Sequence, residues 1–141
     1  MTRVIKVKSG NKFEEIGRYS RIVAVGDWIY VSNTAGRNPK TGEMPDDVAD
    51  QTLQIFANVE AALQVVDSTL ADVIAARVFV PDPADMPRVM EIFAETFRGV
   101  DPVLTATAPA LGALIYKVEI EFTAYRGASA AKVEYRRVVV S

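Results

Sequence analysis

The sequence predicts a single α+β domain, a mixed β-sheet with two helices packed on one of its faces. Three observations lead there. Val118, Ile120 and Phe122 alternate with Glu119, Glu121 and Thr123, the period of a half-buried strand. Between Asp46 and Val66, the residues Val48, Thr52, Phe56, Val59, Leu63 and Val66 recur at three- and four-residue steps, the period of a helix with one buried stripe. The elements follow in the order strand, hairpin strands, helix, strand, helix, strand pair. Both helices then read as crossovers between neighbouring strands, which puts them on one side of the sheet. The other side needs a different cover, and self-association supplies one.

Taken in order, Arg3 to Lys8 alternates as a first strand, and a Ser-Gly-Asn turn follows. Phe13 to Gly17 reads as a short irregular connection. Arg21 to Val25, the Gly26-Asp27 turn and Trp28 to Asn33 form the clearest hairpin signal in the chain. Thr34 to Pro45 is a loop rich in Gly, Pro, Asn and Thr. The first helix opens on Asp46, Asp47 and Asp50, a set that suits a cap and the helix dipole better than a metal cluster. Val73 to Val80 is a continuous apolar run suited to a buried strand, interrupted by Arg77. Pro81 to Pro87 breaks it, with Asp85 as cap for a second amphipathic helix that runs to Phe97 and is stopped by Gly99. Pro102 to Tyr125 organises the rest. Val103 to Ala108 is a small-residue strand, an Ala-Pro-Ala-Leu-Gly turn follows, and the alternating strand closes on paired glutamates. Lys132 to Val140 reads as one extra strand.

Composition narrows the chemistry. The chain has 141 residues, enough for one domain with a substantial core, and half of them are hydrophobic. It has no cysteine, which removes disulfides and thiol nucleophiles and makes a cytoplasmic location the default. It has no histidine either. Ser-His-Asp and Cys-His arrangements and the common zinc sites are therefore excluded. Acid–base work falls to carboxylates, Tyr, Lys, bound water or backbone groups. A net charge of −2 offers no footprint for nucleic acid, and no apolar run is long enough to span a membrane as a helix.

A set of short motifs occurs in a recognisable order: Tyr19-Ser20, the hairpin ending in Val31-Ser32-Asn33, Asn38 to Glu43 (NPKTGE), and Gln51-Thr52 with Asn58-Val59. Arg77 to Asp82 (RVFVPD) and Pro102 followed by Val118 to Glu121 (VEIE) complete it. Together these resemble the RidA (YjgF) family of imine deaminases over residues 4 to 127, leaving 128 to 141 as an extension. The resemblance implies a chorismate-mutase-like fold and a homotrimer with a small-molecule site in each of three clefts between subunits. It also implies hydrolysis of enamines and imines to 2-keto acids and ammonia without a metal or other cofactor.

Fold transfers more readily than function. Where imine-hydrolysing members carry a carboxylate-clamping arginine two residues after the proline, this chain has Leu104. The family's Ser-Gly-Gln strand end is Ser32, Asn33 and Thr34 here. Tyr19, Ser32, Thr105 and Glu119 are retained. The resemblance therefore implies Glu119 as the group that positions water, with Tyr19, Ser32, Asn33, Thr34, Leu104 and Thr105 around the ligand. Arg21, Arg37 and Arg77 are the candidates to replace the missing cation. Three readings follow: a hydrolase for a small imine or enamine, a non-catalytic metabolite-binding trimer and, least supported by an acidic chain, an endoribonuclease or translation inhibitor.

Overall fold

The computed structural model describes residues 2–141. Six strands form one sheet: β1 (Val4–Val7), β2 (Ile22–Val25), β3 (Trp28–Ala35), β4 (Val73–Phe79), β5 (Val103–Thr107) and β6 (Glu119–Tyr125). Their spatial order is β1-β2-β3-β6-β4-β5, and every neighbouring pair is antiparallel except β4 and β5. Two long helices, α2 (Val48–Gln64) and α3 (Met86–Thr96), pack on one face, as the α+β reading required. A short helix, α1 (Lys12–Gly17), precedes β2.

The alternation in β6 places Ile120, Phe122 and Ala124 under the helices, fully or almost fully buried. Ile55, Phe56, Val59 and Leu63 of α2 and Val89 and Phe93 of α3 meet them, each large side chain contributing roughly 1.5–3 kcal/mol by leaving water. Phe56 sits among the rings of Phe93, Phe97 and Phe122, nearly perpendicular to Phe97 at 5.6 Å between centroids. Asp47 caps α2, its carboxylate accepting from the Ala49 N–H at 2.7 Å. That is the local role expected of the acidic cluster at this helix start.

Several local expectations are corrected. The two strands of the Pro102–Tyr125 stretch are not partners, because β4 lies between β5 and β6. α3 returns the chain parallel to β4, so β6 has to enter between β3 and β4. For the same reason α2 does not join neighbouring strands but crosses β6. Phe13 to Gly17 is helical because the Asn11 side chain accepts from the Phe13 N–H and Arg18 ends the turn in the left-handed region at φ 56°. Asp85 makes no side-chain cap. Asp82 instead caps the turn before α3, accepting from Ala84. Residues 132–140 form no strand; they run exposed after a single 3₁₀ turn at Ala128–Ala130.

Gly36 shows how tightly the end of β3 is held against α2. A Cβ built on it would lie 2.2 Å from the Gln51 carbonyl oxygen. Backbone cannot yield as a side-chain tip can, so Gly36→Ala should destabilise the fold by roughly 1–3 kcal/mol or more. Gly112→Ala, where nothing lies within 4 Å, is the control. Urea denaturation of both variants checks the contrast; equal midpoints would refute it.

The face away from the helices is open and graded in polarity. At one end lie Val4, Val25, Trp28 and Tyr125 in register, with the Trp28 and Tyr125 rings edge to face at 5.1 Å. Tyr30, Thr123, Ala75 and Val103 form the next row. At the other end come Ser32, Glu121, Arg77 and Thr105, then Glu119, Phe79 and Thr107.

Candidate functional site

The polar end is shaped by a bulge. β3 and β6 are in register from Trp28 to Val31 and again from Thr34, with one extra residue inserted on β3 between. Such an insertion turns side chains out of the regular alternation. Asn33 is exposed there, and its amide donates to Glu119 Oε2 at 2.6 Å. Its φ is not in the left-handed region, so the bulge accepts a side chain where the family motif has glycine. Glu119 opens β6, half-buried, and burial pushes its carboxyl above the usual glutamate range while the nearby Arg21 charge pulls the other way.

Beneath the bulge lies a buried ion pair. Glu14 on α1 and Arg21 before β2 are both almost wholly buried, and Arg21 Nε and Nη2 each donate to Glu14 Oε2 at 3.2 Å. The other carboxylate oxygen accepts from the Ser9 N–H at 2.9 Å, and the Ser9 hydroxyl also donates to Glu14. Burial would raise the Glu14 pKa, but the Ser9 hydrogen bonds and Arg21 outweigh it and hold it low. Arg21 then reaches across to the bulge, donating from Nη1 to the Asn33 carbonyl at 3.0 Å and to Thr34 Oγ1 at 3.1 Å. One cation thus fixes the backbone that carries Asn33 and biases the carboxylate that Asn33 touches.

The remaining candidates divide into two groups. Tyr19 is part-exposed, with its ring 5.9 Å from the Arg21 guanidinium carbon, and Ser32 donates to the Ser20 carbonyl at 2.7 Å. Both lie on the Glu119 side. Thr34, expected to face a ligand, is instead buried; its hydroxyl donates to the Ser32 carbonyl and accepts from Arg21. Leu104 and Thr105 lie on β5, the outer edge strand. Two strand spacings, roughly 10 Å, separate β5 from β6. Leu104 is in register with buried Ala76 on the helix side, whereas Thr105 shares the open-face row of Arg77. Within one chain, Leu104 and Thr105 are not brought to Glu119.

Each candidate replacement cation is engaged. Arg21 holds Glu14, Arg77 lies 3.6 Å from Glu121, and Arg37 donates to the Gly42 carbonyl and the Tyr116 hydroxyl. A depression of about 230 Å³ on the open face, reached by Ser20, Tyr30, Ser32, Glu121 and Thr123, lies beside Glu119 and does not include it. Among the described residues no His, Cys, Asp and Glu cluster could hold a metal, and no helix is long and apolar enough to cross a membrane.

Sequence reasoning gave no site role to two residues that shape this site. Glu14 fell in what read as a connection, and its only signal was an opposite charge seven residues before Arg21. Gln51, fully buried on α2, donates to the Pro45 and Ile115 carbonyls and accepts from the Lys117 N–H. It ties the loop before α2 to the segment leading into Glu119. Its burial could be read from its place on the α2 stripe beside Val48 and Ile55.

One mixed sheet with helices on a single face is the α+β fold that the chain shares with solved relatives. Residues 9–126 match the family described as Endoribonuclease L-PSP. The chain is 34% identical over 114 residues to the 2-iminobutanoate/2-iminopropanoate deaminase of Escherichia coli, covering 79% of this chain and 89% of that protein. It is 32% identical over 117 residues to a RutC family protein of Pyrococcus horikoshii, covering 82% and 93%. A YjgF-family protein of Mycobacterium tuberculosis superimposes with a TM-score of 0.76 at 35% identity, covering 87% of this chain and 99% of that one. RidA from an Antarctic Psychrobacter gives 0.73 at 30% identity, covering 78% and 89%. The chain belongs to the RidA (YjgF) family.

Proposed function

We propose that this chain is a RidA-type hydrolase that deaminates a small imine or enamine lacking a carboxylate, in clefts between the subunits of a homotrimer. The observation that carries the reading is Glu119: half-buried, raised in pKa, and anchored by Asn33 rather than by a cation. The relatives named as 2-iminobutanoate/2-iminopropanoate deaminases support the reaction type.

In the proposed reaction, Glu119 takes a proton from water as the oxygen adds to the C=N carbon, and the nitrogen takes a proton from solvent. Glu119 then returns its proton to the amine of the carbinolamine. The C–N bond breaks, ammonia leaves, and the hydroxyl proton passes to the Glu119 carboxylate and on to solvent as the C=O bond forms. Neither the chemistry nor the residues call for a cofactor. The trimer is supported by the division of the candidates: with Leu104 and Thr105 two strands from Glu119, the β5 edge of one subunit would complete the Glu119 side of the next. The exposed apolar end of the sheet supports the same association.

Engagement of Arg21, Arg37 and Arg77, with Leu104 at the clamp position, supports a substrate without a carboxylate. The test is ammonia release from freshly generated imines with and without a carboxylate, by the wild type and Leu104→Arg. Wild-type turnover of neutral imines, with a shift toward 2-imino acids in Leu104→Arg, is the expected result. A wild type active only on 2-imino acids would overturn the substrate class. Leu104 also favours a second reading, a metabolite-binding trimer, for which a ligand would raise the melting temperature with no product formed. An RNA-directed activity has least support, since the chain carries a net charge of −2.

A further inference from the structure

The segment after the last strand lies beyond the family match, which ends at residue 126. It is nonetheless rooted. The Ser129 N–H donates to the buried Asp72 carboxylate at 2.8 Å, and the Tyr135 hydroxyl donates to Asp101 at 2.7 Å. Asp101 stands just before β5, so the segment passes from the end of β6, under the start of β4, to the start of β5. Register places this end of the sheet at Trp28, Tyr125 and Val103, its apolar end.

Beyond that root the segment is apolar and uncovered. Val138, Val139 and Val140 are 89%, 91% and 88% exposed, and Val133 and Tyr135 are mostly exposed as well. Three consecutive β-branched residues outside any strand, with no ladder partner, are poorly suited to water and well suited to packing on a second surface. Charge indicates which surface. Lys132, Arg136 and Arg137 against Glu134 give residues 132–141 a net +2, which leaves the rest of the chain at −4 within a total of −2. The body of the chain, in the same copy or another, thus carries charge of the opposite sign.

We infer that residues 132–141 form a clasp that reaches from one copy of this chain onto a second, packing Val138–Val140 against it. The inference rests on the association proposed above and extends it. The clasp starts at the apolar sheet end, so it enlarges that contact and leaves the polar end, with Glu119, uncovered.

The experiment compares the full chain with a form ending at Ala131, which keeps the Ser129–Asp72 root, by light scattering over a dilution series. The expected result is an oligomer for both at high concentration, with the shortened form dissociating at a concentration at least tenfold higher. Equal dissociation would overturn the clasp while leaving the sheet-face association standing. A monomeric full chain would overturn both. A second variant avoids dependence on truncation: because the chain has no cysteine, Val139→Cys gives one thiol for a thiol-to-lysine cross-linker. In a mixture of ¹⁵N-labelled and unlabelled copies, cross-linked peptides of mixed isotope support the clasp, and cross-links confined to single copies overturn it.

Discussion

Glu119→Gln is expected to reduce imine hydrolysis by about 10²–10⁴-fold, the usual contribution of a positioned acid–base group, while the oligomer and the melting temperature stay near those of the wild type. The amide can still meet Asn33, but it can neither take a proton from water nor return one to the leaving nitrogen. Steady-state ammonia release and light scattering on the same preparations separate lost chemistry from lost assembly. Unchanged turnover with the assembly intact would remove Glu119 from the reaction and favour the binding reading. The pH profile is a second check. In the proposed reaction Glu119 must be ionised at the start, and burial raises its pKa, so the acid limb of kcat/KM should lie above the ordinary glutamate range. Arg21 partly opposes that shift, so Arg21→Met should move the limb higher still.

Breaking the buried pair beneath the bulge should have the largest effect on stability. Arg21→Met leaves Glu14 inside the protein with only Ser9 for company, and removing one partner of such a pair costs about 3–5 kcal/mol. The double variant Glu14→Met/Arg21→Met removes both charges and should recover much of that loss, although Asn33 and Thr34 lose their donor. Urea unfolding of the single and double variants checks this. A double variant no more stable than Arg21→Met would mean that the bulge contacts matter more than the pair. The linkage runs in one direction. The Glu14 pKa is lowered on folding, so its contribution is present above the unfolded-state pKa and is lost as pH falls through the folded one. The gap in melting temperature between the wild type and Glu14→Gln should therefore narrow on acidification; a constant gap would contradict the lowered pKa.

The strands and long helices were legible because burial writes a period into the chain. β6 alternates, α2 repeats every three to four residues, and the Gly26-Asp27 turn marks the hairpin, all consequences of one-sided burial. Pairing is less local. That β4 separates β5 from β6 depends on which strand edges remain available once α2 and α3 have crossed, and no short window of sequence records it. The extra strand read at Lys132–Val140 failed for a related reason: its residues favour extended backbone, but a strand also needs an edge to pair with.

The candidate site divides in the same way. Composition by itself, with neither histidine nor cysteine, confined acid–base chemistry to carboxylates and their neighbours, and the VEIE alternation placed Glu119 on the face away from the core. Its environment was decided only by the tertiary structure. Arg21 stands seven residues from Glu14 in sequence, while Asn33 stands 86 residues from Glu119, and both contacts form because folding brings distant segments to one bulge. Thr34 turned inward because the bulge adds one residue and restores the alternation beyond it. Local sequence determines which residues can be buried and at what period. Long-range packing determines which charges meet, and the environment of the Glu119 carboxylate depends on those meetings.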